Sequence, residues 1–285
     1  MTKWKLRATA SFFCDWSEIM RPVNGRIYID DTEIDYIAFG RGSIPLVMIP
    51  GLSDGLKNAK GMALPFSLAY RKIGSQFRVY AFSRRNRLPE GFTTIDMAKD
   101  VAYAMKCLHL KNACVVGVSL GGMIAQHLAI RHPECVGKLV LCVTAPESND
   151  RIKKLIRRWK KLAAQDRYAE LVADTSRFAY TDAYYRKSAW MYPIVGRLMK
   201  PKSFENYYVQ ADACLTHNAT DRLDSITCPT FVIGGARDRV VTADASRELA
   251  KRIPGSKLYL YPEYGHAVHE EAKDFQDRLT RFFMA

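Results

Sequence analysis

The sequence contains no run of about 20 apolar residues, the length that crosses a bilayer as a helix, although 48% of its 285 residues are hydrophobic. Its first 20 residues include Lys3, Lys5 and Arg7 but no apolar segment of signal-peptide length. It also lacks a glycine-rich phosphate loop, a nucleic-acid-binding module and a histidine and carboxylate cluster with metal-ligand spacing. We therefore expect a cytoplasmic protein with no integral membrane segment, no cofactor and no metal.

The cysteines and the net charge indicate the cellular compartment and the kind of surface that this protein has. The seven cysteines are odd in number and scattered, without Cys-x-x-Cys spacing, and several, such as Cys114 and Cys142, lie in apolar segments. This pattern is typical of small core residues in a reducing compartment. The formal net charge of +14 permits attraction to anionic partners, but without a nucleic-acid module it favours a basic solvated surface over nucleic-acid binding.

One stretch carries a specific chemical pattern. The β-branched run Val115–Val118 ends in Gly-Val-Ser-Leu-Gly, and the apolar residues from Met123 onward follow helical spacing. A strand, a Gly-x-Ser-x-Gly turn and a helix together are typical of a nucleophile elbow, which presents the serine at a helix N-terminus. The alternative is a glycine-rich turn with an incidental serine. We predict that Ser119 is a nucleophile.

A serine hydroxyl is a weak nucleophile at neutral pH and needs a histidine base that is oriented by an acid. The strand predicted at 230–235 is followed by Asp238, and the strand at 257–261 is followed by His266. Both residues therefore lie at the edge where open α/β sheets form their sites. Alternatives for the two roles are His269, Asp244 and Glu147, of which Asp244 has a sufficient structural role in the first turn of a helix.

In these features the chain resembles the α/β-hydrolase fold over roughly residues 26–285. The resemblance implies an α/β fold with a mostly parallel central sheet, flanked by helices and carrying an inserted helical cap. It also implies that Ser119 is the nucleophile, that His266 is the general base and acid, and that Asp238 holds the imidazole in its working tautomer. The Gly-Val-Ser-Leu-Gly-Gly run is closest to esterase, enol-lactonase and cofactor-free haloperoxidase members.

The resemblance further implies an oxyanion hole formed by two backbone amides. One is that of Leu120, directly after the nucleophile, and the other is that of Leu52 in the loop after an early strand. Many relatives have His-Gly in that loop, whereas this chain has Pro50-Gly51. Because the donor is a main-chain amide, the substitution leaves the donor in place and affects the stiffness of the loop.

The predicted domains are an N-terminal extension over 1–25, a core formed by 26–146 and 229–285, and a helical cap over 147–228. The extension contains four large aromatic residues, which we expect to pack across the domain: Trp4, Phe12, Phe13 and Trp16. The core begins with a hairpin of residues 26–29 and 33–38, and we predict helices near 62–72, 93–108 and 268–283.

The cap opens with a basic amphipathic helix over 151–162. Its apolar stripe either packs on the core as a lid, the interpretation that we favour, or lies on an anionic membrane. Further along, the cap is rich in aromatic residues that would line an apolar or aromatic pocket or form the cap's own core: Phe178, Tyr180, Tyr184, Tyr185, Trp190, Tyr192, Phe204, Tyr207 and Tyr208. His217 is expected to be structural or exposed. Arg84, Arg85 and Arg87 are expected to form ion pairs in a solvated loop, the alternative being contact with an anionic substrate.

These observations predict a serine hydrolase that cleaves a carboxylic ester or a related acyl compound, such as a lactone or thioester, through an acyl-enzyme on Ser119. The substrate is expected to be a small acyl compound, apolar or aromatic. Two alternatives remain open: an acyltransferase or peptidase that uses the same three residues, and a ligand-binding protein without catalysis. The sequence leaves the oligomeric state undetermined.

Overall fold

A single β-sheet of eight strands organises the computed structural model, which describes residues 21–285. Its strands are β1 (Val23–Ile29), β2 (Thr32–Phe39), β3 (Ile44–Ile49), β4 (Phe77–Arg85), β5 (Ala113–Val118), β6 (Val136–Cys142), β7 (Thr230–Gly235) and β8 (Lys257–Tyr261). Their order across the sheet is β1-β2-β4-β3-β5-β6-β7-β8. Strand β2 pairs antiparallel with β1 and β4, and all other neighbours are parallel. The predicted α/β class is confirmed.

The inner strands are apolar on both faces because helices cover both sides of the sheet. In β3, Val47 and Ile49 belong to one hydrophobic core, while Leu46 and Met48 belong to the other. This alternation follows from the two-residue period of a strand. The predicted hairpin is also confirmed: β1 and β2 pair through a tight turn at Asp30, whose φ is 51°.

Twelve α-helices lie within residues 21–285. They are α1 (Ala63–Ala69), α2 (Arg71–Gly74), α3 (Thr94–Cys107), α4 (Leu120–Arg131), α5 (Asp150–Ala164), α6 (Tyr168–Ala179), α7 (Asp182–Ser188), α8 (Tyr192–Leu198), α9 (Glu205–Thr216), α10 (Ala243–Arg252), α11 (Val268–Glu271) and α12 (Phe275–Met284). Helices α3, α4 and α10 cover one face of the sheet, and α1, α2 and α12 cover the other. The predicted helix over 93–108 begins as expected, with a reciprocal capping box between Thr93 and Asp96.

The single helix predicted over 268–283 is wrong, since the chain forms α11 and α12 instead. Ala272, between them, has an extended backbone with ψ of 113°. The resulting bend lets Asp274 accept a hydrogen bond from the Tyr261 hydroxyl at 3.0 Å. It also turns Phe275 and Phe283 into the core. Helical spacing alone does not show this interruption, because the apolar residues on both sides of the bend are buried.

Five helices, α5 to α9, lie between β6 and β7, and none of the eight strands does. The two ends of this segment meet in an antiparallel bridge between Glu147 and Asn218. The Ser148 amide also donates to the His217 carbonyl at 2.9 Å. The division of the chain into a core and a cap at 147–228 stays a prediction, as does the 1–25 extension, whose four aromatic residues lie outside the described residues.

The apolar stripe of α5 is buried within the protein. Ile152, Leu155, Ile156 and Trp159 are each at most 6% exposed and belong to the same hydrophobic core as α3 and α4. Most aromatic residues of the segment between β6 and β7 contact one another: the rings of Trp159 and Phe178 meet edge to face, and Phe204 contacts both Tyr207 and Tyr208. The α5 stripe is therefore unavailable to a membrane, and much of the aromatic content stabilises the helical segment itself.

Candidate active site

Ser119 lies on a strained turn between β5 and α4. Its backbone has φ of 54° and ψ of −119°, a combination that costs a non-glycine residue of the order of 1–3 kcal/mol. The turn is held by hydrogen bonds on both sides: the Ser119 amide donates to the Cys142 carbonyl at 2.9 Å, and Thr144 Oγ1 donates to the Ser119 carbonyl at 2.8 Å. These contacts with the end of β6 maintain the conformation that presents Oγ at the sheet edge.

The elbow requires glycine on both sides of the serine because neighbouring backbones pass very close. A Cβ on Gly117 would lie 2.4 Å from the Gly121 carbonyl oxygen, and one on Gly121 would lie 1.9 Å from that of Ile49. Neither separation is possible for a real side chain. The close approach of Gly121 to the end of β3 also brings the elbow against the loop that contains Leu52.

Ser119, His266 and Asp238 form a continuous hydrogen-bonded chain. His266 Nε2 lies 2.9 Å from Ser119 Oγ, and His266 Nδ1 lies 2.9 Å from Asp238 Oδ2. The three residues follow β5, β8 and β7, so their alignment depends on the parallel pairing of these strands at one sheet edge. With Nδ1 protonated toward the carboxylate, Nε2 is free to accept the serine proton.

Asp238 is buried, and both of its carboxylate oxygens form hydrogen bonds. Its side chain is 1% exposed, and its other oxygen, Oδ1, accepts hydrogen bonds from the amides of Val240 and Val241 at 2.7 and 3.0 Å. Burial by itself raises the pKa of this carboxyl, but interaction with His266 and the two amides outweighs it, and the pKa is lowered overall. Asp238 is therefore a carboxylate that can stabilise a positive charge on the imidazole.

The alternative residues are not part of this hydrogen-bonded chain. The Asp244 side chain is 91% exposed and pairs with Arg247. Glu147 is exposed at the bridge to Asn218. His269 Nε2 lies 3.3 Å from Glu270, and none of the three has a hydrogen bond to Ser119 or His266 among residues 21–285.

The two predicted oxyanion amides lie on adjoining loops. Leu52 begins a 3-10 turn over Leu52–Gly55, and Leu120 begins α4. A Cβ placed on Gly51 would be 3.4 Å from Ser119 Cβ, so the Leu52 loop borders the serine directly. Within residues 21–285, neither amide donates in a loop, cap or side-chain hydrogen bond. Both are thus available to a negatively charged oxygen beside Ser119.

Arg84 contacts the loop that carries Leu52, and the sequence pattern did not predict this contact. Its side chain is almost completely buried, and Nη2 donates to the Pro50 carbonyl at 2.5 Å. The Arg84 amide donates to Asp54 Oδ2 at 2.9 Å. Nε and Nη1 of this buried guanidinium have no partner among the described residues, and burial lowers the pKa of Arg84. Arg84 therefore supports the loop that carries Leu52 from beneath.

The other two arginines form ion pairs as predicted, but the predicted solvated loop is wrong for Arg84 and Arg85, which lie within β4. Arg85 forms two hydrogen bonds to Asp100, at 2.6 and 2.7 Å, and Arg87 pairs with Asp31 at the surface. The sequence gives no signal that Arg84 is buried, because the pattern does not show which loops fold over it. Only the packing distinguishes Arg84 from its neighbours.

A cavity of about 520 Å³ lies next to the turn that carries Ser119, and its wall is formed by neighbours of Ser119 and His266 rather than by these two residues themselves. Its wall includes Gly51 beside the Leu52 amide, Val118 beside Ser119, and His269 and Glu270 a few residues beyond His266. Apolar side chains, among them Phe66, form much of the remaining wall. A volume of this size accommodates a small organic molecule.

His217 is buried in the protein, as expected for a histidine with a structural role. His217 is 3% exposed, and its Nδ1 lies 3.1 Å from Thr94 Oγ1.

No group of three or more histidine, cysteine, aspartate or glutamate side chains within residues 21–285 has the arrangement of a metal site. In the same part of the chain, no helix has both the length and the apolar character needed to cross a bilayer.

Comparison with known proteins identifies the family to which this chain belongs. Residues 44–273 match the family model described as the alpha/beta hydrolase fold. A protein of Yersinia enterocolitica named as a proposed carbamate hydrolase, RutD, is 25% identical over 204 residues, covering 69% of this chain and 73% of that protein. The 2-hydroxy-6-oxononadienedioate/2-hydroxy-6-oxononatrienedioate hydrolase of a Pseudomonas species is 24% identical over 293 residues, covering 98% of each.

A solved structure shows the same architecture. MGS-M2, an alpha/beta hydrolase enzyme from a Medee basin deep-sea metagenome library, superposes with a TM-score of 0.81 at 18% identity, covering 92% of this chain and 98% of that one. The family match spans most of the chain and includes the elbow and both loops that contain Asp238 and His266. The chain therefore belongs to the α/β-hydrolase fold family.

Proposed function

We propose that this protein is a serine hydrolase that cleaves a carboxylic ester or a related acyl compound, such as a lactone or thioester. The observation that carries the proposal is the hydrogen-bonded chain from Ser119 through His266 to Asp238, with 2.9 Å at each step. Nucleophile, base and orienting acid are then within hydrogen-bond distance of one another. Family membership and relatives named as hydrolases support the broader assignment of hydrolysis.

In the proposed reaction, Ser119 Oγ attacks the carbonyl carbon as its proton passes to His266 Nε2. The carbonyl electron pair moves onto oxygen, where the amides of Leu52 and Leu120 stabilise the negative charge. The intermediate then expels the alcohol, which takes the proton from His266, and leaves an ester on Ser119. Water next gives a proton to His266 and attacks this ester, which releases the acid and restores the serine.

Asp238 would stabilise each step in which the imidazole is positively charged. Its lowered pKa keeps it ionised when His266 is protonated. Its burial strengthens the attraction between the two charges. Asp238 also donates no proton in this scheme, because its hydrogen bonds from the Val240 and Val241 amides stabilise the carboxylate.

The cavity beside Gly51 is the proposed substrate pocket. Its wall contains residues from the Leu52 loop, from the strand that leads into the elbow and from the segment that follows His266. Its largely apolar wall favours an apolar or aromatic acyl or alcohol group over a strongly charged one. Lys57 and Asn58 also line the cavity and offer polar contacts to one end of such a molecule.

The first test is hydrolysis of p-nitrophenyl esters from acetate to palmitate by the wild type and by Ser119→Ala. We expect turnover by the wild type and a loss of about 10³-fold or more in kcat for the variant, because the nucleophile is removed. Ser225→Ala, on an exposed turn, serves as the matched control and should keep full activity. Mass spectrometry of a rapidly quenched reaction should show the acyl group on Ser119.

Two results would contradict the proposal. Undiminished activity of Ser119→Ala would show that another group performs the chemistry. Absence of turnover on esters, lactones, thioesters and carbamates by folded wild type would show that the hydrogen-bonded chain does not serve acyl hydrolysis. Circular dichroism of each variant checks that the fold is retained.

A further inference from the structure

The helical segment between α7 and α9 has an apolar outer surface. Five large apolar side chains within ten residues are exposed: Trp190 at 68%, Met191 at 40%, Ile194 at 50%, Leu198 at 77% and Met199 at 44%. We call these five residues the Trp190 patch. Their exposure contrasts with the buried stripe of α5, the segment for which the sequence raised the question of membrane contact.

The Trp190 patch faces outward because the opposite side of its helix is fixed. Trp190, Ile194 and Leu198 are four residues apart and therefore lie along one side of the helical run from Ala189 through α8. On the other side, Tyr192 is buried, and Gly196 packs so closely on α6 that an added Cβ would lie 2.3 Å from Ala169 Cβ. Rotation of the helix to bury the patch would break these contacts.

The chain segment that carries the Trp190 patch has charged side chains of one sign only. Residues 183–204 contain no aspartate or glutamate. The same range contains five exposed cations: Arg186, Lys187, Arg197, Lys200 and Lys202. Only Lys200 of the five is in an ion pair within residues 21–285, with Asp166. An exposed apolar stripe is thus accompanied by a local excess of positive charge, in a chain whose formal net charge is +14.

We propose that the Trp190 patch docks the protein on the surface of an anionic lipid bilayer. Apolar side chains of this size insert into the boundary between headgroups and acyl chains, with tryptophan especially suited to that depth. The flanking lysines and arginines attract anionic headgroups. The contact is peripheral, and it does not depend on which reaction the protein catalyses.

Charge complementarity favours a bilayer over a second copy of this chain. A two-fold symmetric contact through the patch would place the same five cations opposite one another. Such like-charge contact opposes association, whereas an anionic membrane neutralises these cations.

The test is co-sedimentation of the full chain with vesicles of phosphatidylcholine alone or with about one third phosphatidylserine. We expect binding to the anionic vesicles, a reduction of at least about tenfold in high salt because the attraction is screened, and little binding to phosphatidylcholine. Trp190→Ser with Leu198→Ser should reduce binding about tenfold or more, since inserted apolar area is lost. Lys187→Glu with Arg197→Glu should do the same.

Matched controls separate the patch from general charge and hydrophobicity. Tyr28→Ser removes a side chain that is 72% exposed on β1, far along the sheet from β7, and should bind like wild type. Lys111→Glu with Lys251→Glu changes the net charge as much as the patch double variant does and uses exposed residues outside the patch. It should retain most of the binding.

Three outcomes would overturn the proposal. One is the absence of binding by wild type to anionic vesicles. Another is equal loss of binding in patch and control variants, which would indicate general charge attraction. The last is a dimer in analytical ultracentrifugation without lipid that Trp190→Ser with Leu198→Ser abolishes, which would assign the patch to a second copy. Unchanged melting temperatures show that the variants are folded, as expected for exposed side chains.

Discussion

At the scale of single residues, the candidate site depends on groups that are held in unfavourable states. Ser119 has a strained backbone, and Arg84 is a buried cation with two guanidinium nitrogens, Nε and Nη1, that lack partners among the described residues. Such states persist only where surrounding contacts determine them. For Arg84, the contact is the hydrogen bond to the Pro50 carbonyl, which supports the loop that carries Leu52.

On the proposed mechanism, Arg84→Met should lower kcat by about 10- to 100-fold, because a displaced Leu52 amide stabilises the oxyanion less well. KM should change less than about threefold, since the loss concerns the transition state. Stability should also fall, because the buried carboxyl of Asp54 loses the nearby positive charge of Arg84. Steady-state kinetics and thermal melting measure both effects.

Arg87→Met is the control, since Arg87 is 70% exposed, and its kinetics should equal those of wild type. Arg84→Lys should recover part of the lost kcat by restoring a donor toward Pro50. A rise in KM at unchanged kcat in Arg84→Met would contradict the positioning role and indicate that the arginine contacts substrate.

At the scale of elements, the two tryptophans of the inserted helices have opposite environments. Trp159 on α5 is 5% exposed, and its indole N–H donates to Asp174 at 3.0 Å. Trp190 is 68% exposed. Helix α5 therefore attaches the inserted segment to the rest of the protein through its apolar stripe, whereas the helical run at 189–198 presents its stripe to the exterior.

Trp159→Ala should destabilise the protein by about 3–5 kcal/mol, through lost burial and the cavity that remains. Trp190→Ala is the matched substitution and should change stability by about 0.5 kcal/mol or less. Urea denaturation followed by circular dichroism gives both values. Similar losses in the two variants would contradict the difference in environment.

At the scale of the whole molecule, buried histidines link stability to pH. His217 and His127 meet edge to face where the inserted segment returns to the core. Burial, followed by repulsion from His127 when that ring is protonated, lowers the pKa of His217 to about 3. Burial, followed by Arg131, lowers the pKa of His127 to about 4. Both histidines are neutral in the folded protein down to low pH, while in the unfolded chain they bind protons below about 6.5.

The unfolded state binds more protons in this range. The contribution of the two histidines to the free energy of unfolding should therefore be fully present above about pH 6.5, and it should be lost as the pH falls toward their pKa values in the folded protein. His217→Gln removes one of these groups and should lose less stability than wild type between about pH 7 and about pH 4.5. His132→Gln, at a partly exposed histidine, is the matched substitution. A His217→Gln curve parallel to that of wild type would show that His217 does not contribute to the pH dependence.

The sequence by itself determined the α/β class, the edge hairpin, the elbow and the order Ser119, Asp238, His266 along the chain. Each depends on local information, such as strand and helix periodicity, or on residues that directly follow a strand. It did not determine that the last helix is interrupted at Ala272, because the apolar spacing is the same on both sides of the bend.

Only the tertiary structure decided that Arg84 is buried under the Leu52 loop while Arg85 and Arg87 form ion pairs, and that Trp159 is covered while Trp190 is exposed. Burial of a side chain depends on segments distant in sequence that pack over it. Neighbouring residues of one type can therefore have opposite environments. The same long-range packing sets the distances between Ser119, His266 and Asp238, which come from three separate loops.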